Sequence, residues 1–145
     1  MSGFEDFPRE HRVAELLAAA RSVQERAYAP YSHFPVGAAI LTPEGNIHVG
    51  CNVENAAYPV GSCAEAGAIA AMVAAGDLRI AALLTICDSA DVGTCCGGCR
   101  QRVREFASLD TPIYACGPEG VRATFTMAEL LPVSFGPDNL RGFVR

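Results

Sequence analysis

Cys63-Ala64-Glu65-Ala66-Gly67-Ala68-Ile69-Ala70-Ala71-Met72-Val73-Ala74-Ala75-Gly76 is the stretch on which the fold turns. Residues 62–75 are apolar on nearly every face and end at a glycine suited to a left-handed helix terminus, which predicts a central helix covered on most sides. The run that follows at 80–87, Ile-Ala-Ala-Leu-Leu-Thr-Ile-Cys, is continuous, apolar and of strand length. That is the pattern of a strand buried on both faces in the middle of a sheet.

Upstream, the apolar runs at 36–42 and 47–53 flank Pro43-Glu44-Gly45-Asn46, turn chemistry that predicts an antiparallel hairpin. Before them Val13, Leu16, Leu17, Ala20 and Val23 mark one face of a first helix over residues 9 to about 27. It stops at Tyr28-Ala29-Pro30, because a residue preceding proline is driven out of the helical region. Downstream, the pattern predicts a helix from about 96 to 106, a strand at 112–116, a short strand at 121–125 and a helical turn at 127–131. Residues 1–8 read as a loose leader. Interleaved helices and strands with one hairpin predict a single α/β domain spanning 1–145, a mixed sheet sandwiched between helices.

Composition narrows the function. Half of the 145 residues are apolar and 19% are charged, which excludes a disordered chain. The formal charge of −5, with no basic run, disfavours nucleic acid and anionic membrane as partners. The most apolar stretch is too short to span a bilayer and contains Glu65. No secretory signal is readable, so a cytoplasmic protein is expected. Seven cysteines, at 51, 63, 87, 95, 96, 99 and 116, are many for such a chain. In a reducing compartment they point to metal or thiol chemistry rather than disulfides.

Two clusters carry that chemistry: Cys63-Ala64-Glu65 at the start of the central helix, and Cys95-Cys96-Gly97-Gly98-Cys99 at the start of the next. A single C-x-x-C is read equally as metal ligation, redox chemistry or packing. Cys96 and Cys99, three apart on a first helical turn, point their sulfurs the same way, and helix N-termini favour the thiolate. Cys63 adds a third ligand, and three protein ligands with an open fourth position describe a catalytic zinc site. Glu65 is costly to bury in an apolar helix unless paired or working. It reads either as a helix-start acid or as a proton carrier beside the metal, and the latter requires the helix to begin at about Cys63. Zinc lowers the pKa of bound water to roughly 7, and a neighbouring carboxylate can carry the proton to a leaving group.

Zinc nucleobase deaminases use this arrangement, and the sequence strongly resembles the small homotetrameric cytidine deaminases. The resemblance rests on Tyr28-Ala29-Pro30-Tyr31-Ser32-His33-Phe34-Pro35-Val36-Gly37-Ala38-Ala39, Gly50-Cys51-Asn52-Val53-Glu54-Asn55-Ala56, Cys63-Ala64-Glu65, Cys96-Gly97-Gly98-Cys99-Arg100-Gln101, Leu130-Leu131-Pro132 and Phe135-Gly136-Pro137. It implies a three-layer α/β/α sandwich with a five-stranded sheet, one zinc per subunit held by Cys63, Cys96 and Cys99, and Glu65 as proton shuttle. The implied reaction is hydrolytic deamination of cytidine and 2'-deoxycytidine to uridine and 2'-deoxyuridine with release of ammonia, in pyrimidine salvage. By the same resemblance Asn52 and Glu54 bind the ribose hydroxyls, Phe34 lines the base pocket, and Ala64 offers its backbone to the pyrimidine. The resemblance further implies that Tyr58 and Phe135 complete pockets of neighbouring subunits in a homotetramer. His11, His33 and His48 receive no role, and Cys51, Cys87 and Cys116 read as small buried residues.

The chain departs from the family twice. Ala66 stands where an arginine commonly follows Cys-Ala-Glu and donates to the zinc-bound sulfurs; Arg100 and the two helix N-termini are candidates to offset the site's charge instead. Cys95 replaces the proline that usually precedes the C-x-x-C, and is read as a bystander. Competing readings are a deaminase of another aminopyrimidine nucleoside, such as a blasticidin-like antibiotic, and a zinc-stabilised nucleoside-binding protein with little turnover.

Overall fold

The computed structural model describes residues 9–140, so the leader expected at 1–8 lies outside the described residues. Helix α1 (Arg9–Gln24) leads into the hairpin β1 (Val36–Leu41) and β2 (Ile47–Cys51). Then come a 3-10 turn at Tyr58–Val60, α2 (Ala64–Ala74), β3 (Ala82–Cys87), α3 (Gly97–Phe106), β4 (Pro112–Gly117), β5 (Gly120–Thr126) and α4 (Met127–Leu130). The strands form one mixed sheet in the order β2-β1-β3-β4-β5. Among the described strands β3 and β4 run parallel, joined by the α3 crossover, and the other neighbours are antiparallel.

Strand alternation builds the layers, because successive side chains leave opposite faces of a sheet. Ala39, Leu41, Leu84 and Ile86 pack with Leu16 and Ala20 of α1, while Ala38, Ile40, Leu83 and Ile113 pack with α2 and α3 through Ala68, Met72, Cys99 and Val103. All six residues of β3 are buried, as its unbroken apolar run requires of a central strand. Gly76, at φ 95°, closes α2 with a bond from Asp77 N–H to the Met72 carbonyl.

The ends of α1 and β2 and the burial of α2 differ from the sequence expectation. Helix α1 ends at Gln24 rather than near 27, in a turn with Arg26 N–H bonded to the Val23 carbonyl. Strand β2 ends at Cys51 rather than Val53: Asn52 closes a bond to the Val36 carbonyl, and Val53 leaves the sheet to bridge Tyr28 and Ser62. The central helix is covered on one face only. Ala64, Glu65, Ala68, Ile69 and Met72 are buried, whereas Ala70, Ala71, Val73 and Ala74 face outward. Cys87 and Cys116 are buried as expected, but Cys51 is only half-buried.

The backbone of β2 lies almost against α2. A Cβ on Gly50 would sit 2.3 Å from Ala68 N and 2.4 Å from Ala64 O, both backbone atoms that cannot step aside. Gly50→Ala is therefore expected to push α2 off the sheet. The cost is about 2–3 kcal/mol, or a fall of roughly 5–10 °C in Tm, and zinc retention should fall with it because α2 carries Cys63. Thermal melts with and without zinc check this; an unchanged midpoint would show that the strand can yield.

Candidate metal centre and active site

Both helices that carry the candidate ligands are capped by a cysteine. Cys63 is the N-cap of α2 (φ −79°, ψ 159°) and Cys96 that of α3 (φ −64°, ψ 166°), and neither side chain makes a capping hydrogen bond. A thiol is a weak acceptor, so both sulfurs stay free for another partner at the helix end that favours their anions. Cys99 lies one turn into α3 and is fully buried. Because α2 begins at Ala64, Glu65 falls in its first turn on the buried side, the placement its reading as a proton carrier required.

The three Sγ atoms lie within 4.8 Å of one another, with those of Cys63 and Cys96 3.8 Å apart. Tetrahedral zinc with Zn–S bonds of about 2.3 Å sets its sulfurs about 3.8 Å apart. The set fits one zinc ion, and among the described residues no fourth Cys, His, Asp or Glu joins it. Burial foremost pushes the Cys63 and Cys99 thiols up, with the charge of Glu65 adding to both. Burial acts on Cys96 in the same direction, but hydrogen bonds from the Cys99 backbone and from the Cys99 and Cys63 thiols outweigh it and hold Cys96 below the usual thiol value. Metal binding here displaces protons, as at any thiol site.

Cys95 stays outside the ligand group. It is buried, with its thiol against the Glu65 carboxylate, and burial followed by that negative charge pushes it far above the usual thiol range. Glu65 itself is 5% exposed, so the carboxylate is enclosed between the two helix starts.

Arg100, a sequence candidate for balancing the site's charge, reaches none of the sulfurs. Its Nε donates to the Cys95 carbonyl (2.8 Å), Nη1 to the Leu130 carbonyl (2.8 Å) and Nη2 to Thr94 Oγ1 (2.7 Å). It fastens the loop that leads into α3. The sulfur contact comes from Arg102, whose Nη1 lies 3.5 Å from Cys99 Sγ. The sequence reading passed over this residue, although its position three after Cys99 puts it on the same helix face, the spacing rule that paired Cys96 with Cys99.

Of the remaining candidates, Asn52 and Glu54 bond to the segment that leads into β1. Asn52 Oδ1 accepts from Val36 N–H (2.8 Å) and its Nδ2 donates to the Phe34 carbonyl (2.9 Å), which holds the Phe34–Val36 backbone in place. Glu54 Oε1 accepts from the N–H groups of Tyr31 (3.0 Å) and Ser32 (3.1 Å). Hydrogen bonding, foremost from the Ser32 hydroxyl, holds its carboxyl below the usual range. Ala64 is buried at the start of α2, whereas Phe34 is half-exposed and Tyr58 74% exposed, its ring edge-on to Tyr31 at 5.7 Å. Phe135, 58% exposed, is carried by a segment tied to α3: Gln101 Nε2 donates to the Phe135 carbonyl (2.8 Å) and Arg104 Nε to Ser134 Oγ (3.0 Å). Neither Gln101 nor Arg104 was singled out from sequence for this bracing, because their partners lie some thirty residues away.

The family described as the cytidine and deoxycytidylate deaminase zinc-binding region matches residues 11–115. The cytidine deaminase of Sporosarcina psychrophila is 40% identical over 128 residues, covering 88% of this chain and 94% of that protein. That of Mycobacterium tuberculosis strain H37Rv is 39% identical over 114 residues, 79% of this chain and 82% of that protein. The crystal structure of cytidine deaminase from Burkholderia pseudomallei superposes with a TM-score of 0.80 at 36% identity, covering 84% of this chain and 98% of that one.

Proposed function

The chain belongs to the cytidine and deoxycytidylate deaminase family, and from that membership and its three-thiol centre we propose that it hydrolyses cytidine and 2'-deoxycytidine to the uridine nucleosides and ammonia. The observation that carries the reading is the juxtaposition of three sulfurs at two helix starts with a buried carboxylate two residues beyond the first. The sulfur set is that of a catalytic rather than a closed structural zinc site, and a structural zinc would not need Glu65.

Cys63, Cys96 and Cys99 would hold the ion, which when bound supplies Lewis acidity that makes water ionisable near neutral pH. Glu65 takes a proton from the attacking water and delivers it to N3 of the cytosine ring as the C4–O bond forms. It then carries a proton to the amino group, which leaves as ammonia when the C4–N bond breaks. Enclosure of Glu65 keeps bulk water from competing for that proton. Asn52 and Glu54 bind the ribose hydroxyls with spare hydrogen-bonding capacity beyond their backbone bonds. Phe34 lines the base pocket, and the Ala64 backbone meets the pyrimidine.

Tyr58 and Phe135 complete the pockets of neighbouring subunits in a homotetramer. Their exposure in one chain supports this, as does the outward apolar face of α2. Among the described residues no helix is long and apolar enough to cross a membrane, and the acidic composition gives no electrostatic footprint for nucleic acid. The proposed setting is pyrimidine salvage in the cytoplasm, with free nucleosides as substrates and each chain contributing a single domain to the assembly.

The ultraviolet absorbance change of cytidine incubated with the zinc-loaded chain tests the activity. Conversion to uridine with ammonia released one for one is the expected result. Zinc-loaded protein that leaves cytidine and deoxycytidine unchanged would sink the assignment, and turnover of another aminopyrimidine nucleoside would redirect it.

A further inference from the structure

We propose that Arg102 is the charge-balancing residue of the metal centre, a positioning residue that acts on zinc through the sulfur of Cys99. The proposal rests on the zinc reading above. Three thiols that bind a dication and release three protons change the charge of the site from zero to −1, so a nearby cation favours the loaded state.

The residues around the centre leave that work to Arg102. Ala66 and Gly67, which follow Glu65 on α2, carry no charge. Glu65, buried in the first turn of the same helix, supplies no positive charge either. The donors of Arg100 are held by two carbonyls and a hydroxyl. Among the described residues, the guanidinium within reach of a ligand sulfur is that of Arg102, at 3.5 Å from Cys99 Sγ.

Two local features support the contact. Arg102 follows Cys99 by three residues on α3, so the helix itself presents the guanidinium to the sulfur. Gly98 keeps the approach open: a Cβ there would lie 3.3 Å from Arg102 Nη1. An N–H donated to the sulfur fixes the ligand's orientation, and its positive charge offsets the excess negative charge of the zinc–thiolate group. Arg102 is otherwise exposed, so solvent screens part of this effect. Its loss should therefore lie toward the lower end of the ten- to hundredfold range typical of groups that support metal ligands.

The experiment is competition for zinc between the full chain and a chromophoric chelator at neutral pH, for the parent protein, Arg102→Met and Arg102→Lys, alongside thermal melts of the zinc-free forms. Arg102→Met keeps the aliphatic stem and removes the charge; Arg102→Lys keeps the charge. The expected result is an affinity about tenfold weaker in Arg102→Met and largely restored in Arg102→Lys, with zinc-free melting points that coincide. Zinc binding in Arg102→Met within twofold of the parent would overturn the proposal. So would equal losses in both variants accompanied by lower zinc-free melting points, which is the signature of a packing role. A parent chain that itself fails to hold zinc would overturn the zinc reading, a failure separate from both.

Discussion

Glu65→Gln is expected to lower cytidine turnover by about 10²- to 10⁴-fold while leaving zinc in place. The amide matches the carboxylate in size and keeps an acceptor, so the packing between the two helix starts survives. It cannot take a proton and give it back. Zinc should bind at least as tightly as in the parent. Loading leaves the ligand group with an excess negative charge, and the neighbouring carboxylate, whose charge already opposes ionisation of Cys63, Cys96 and Cys99, would be gone. Measuring initial rates by absorbance and bound zinc by elemental analysis on the same samples separates the two effects. Near-parental rates with full zinc occupancy would remove Glu65 from the chemistry. Loss of zinc with loss of rate would make it a structural acid instead.

Cys96→Ser should cost zinc affinity more than a hundredfold and abolish activity, whereas Cys95→Ser should keep both. Structural zinc sites are worth about 10–16 kcal/mol, so removal of one of three thiolates forfeits several kcal/mol, at about 1.4 kcal/mol per tenfold. The serine variant discriminates well because Cys96 is an N-cap without a capping bond. Serine there is a good cap and should leave the zinc-free fold as stable or slightly more so. Zinc loss then cannot be blamed on misfolding. Cys95, adjacent in sequence, is buried against Glu65 and stands outside the ligand group. Chelator competition and melting curves on both variants check the pair. The opposite outcome, zinc lost from Cys95→Ser and kept by Cys96→Ser, would shift the ligand register by one residue.

Legibility from sequence followed the range of the interactions. The run at 80–87 gave a buried strand, Pro43-Glu44-Gly45-Asn46 a hairpin turn and Gly76 a helix end, because each depends on neighbours a few residues away. The end of β2 was misplaced because Val53 is claimed by Tyr28 and Ser62, on segments that the local pattern does not bring together. The outward face of α2 was misjudged for a related reason. Alanine and valine describe the helix surface without stating whether this chain covers it.

The candidate centre divides the same way. Sulfur type, the spacing of Cys96 and Cys99, and a lone carboxylate after Cys63 are properties of the chain itself, and they made the metal set legible and Glu65 a candidate proton carrier. The choice between Arg100 and Arg102 was not settled by proximity along the chain. Successive helical residues turn by about 100°, so the neighbour of Cys99 reaches the Cys95 and Leu130 carbonyls while the residue three along returns to the sulfur. The sequence by itself determined which chemical groups exist and, through helix and strand periodicity, which local face each occupies. Only the tertiary structure decided which faces meet: the crossover that sets two helix starts side by side, the glycine contact that seats α2 on β2, and the hydrogen bonds that engage one arginine with carbonyls and bring the other to the Cys99 sulfur. Those outcomes depend on the packing of segments tens of residues apart, where the pairing is set by the shape and burial of the whole core.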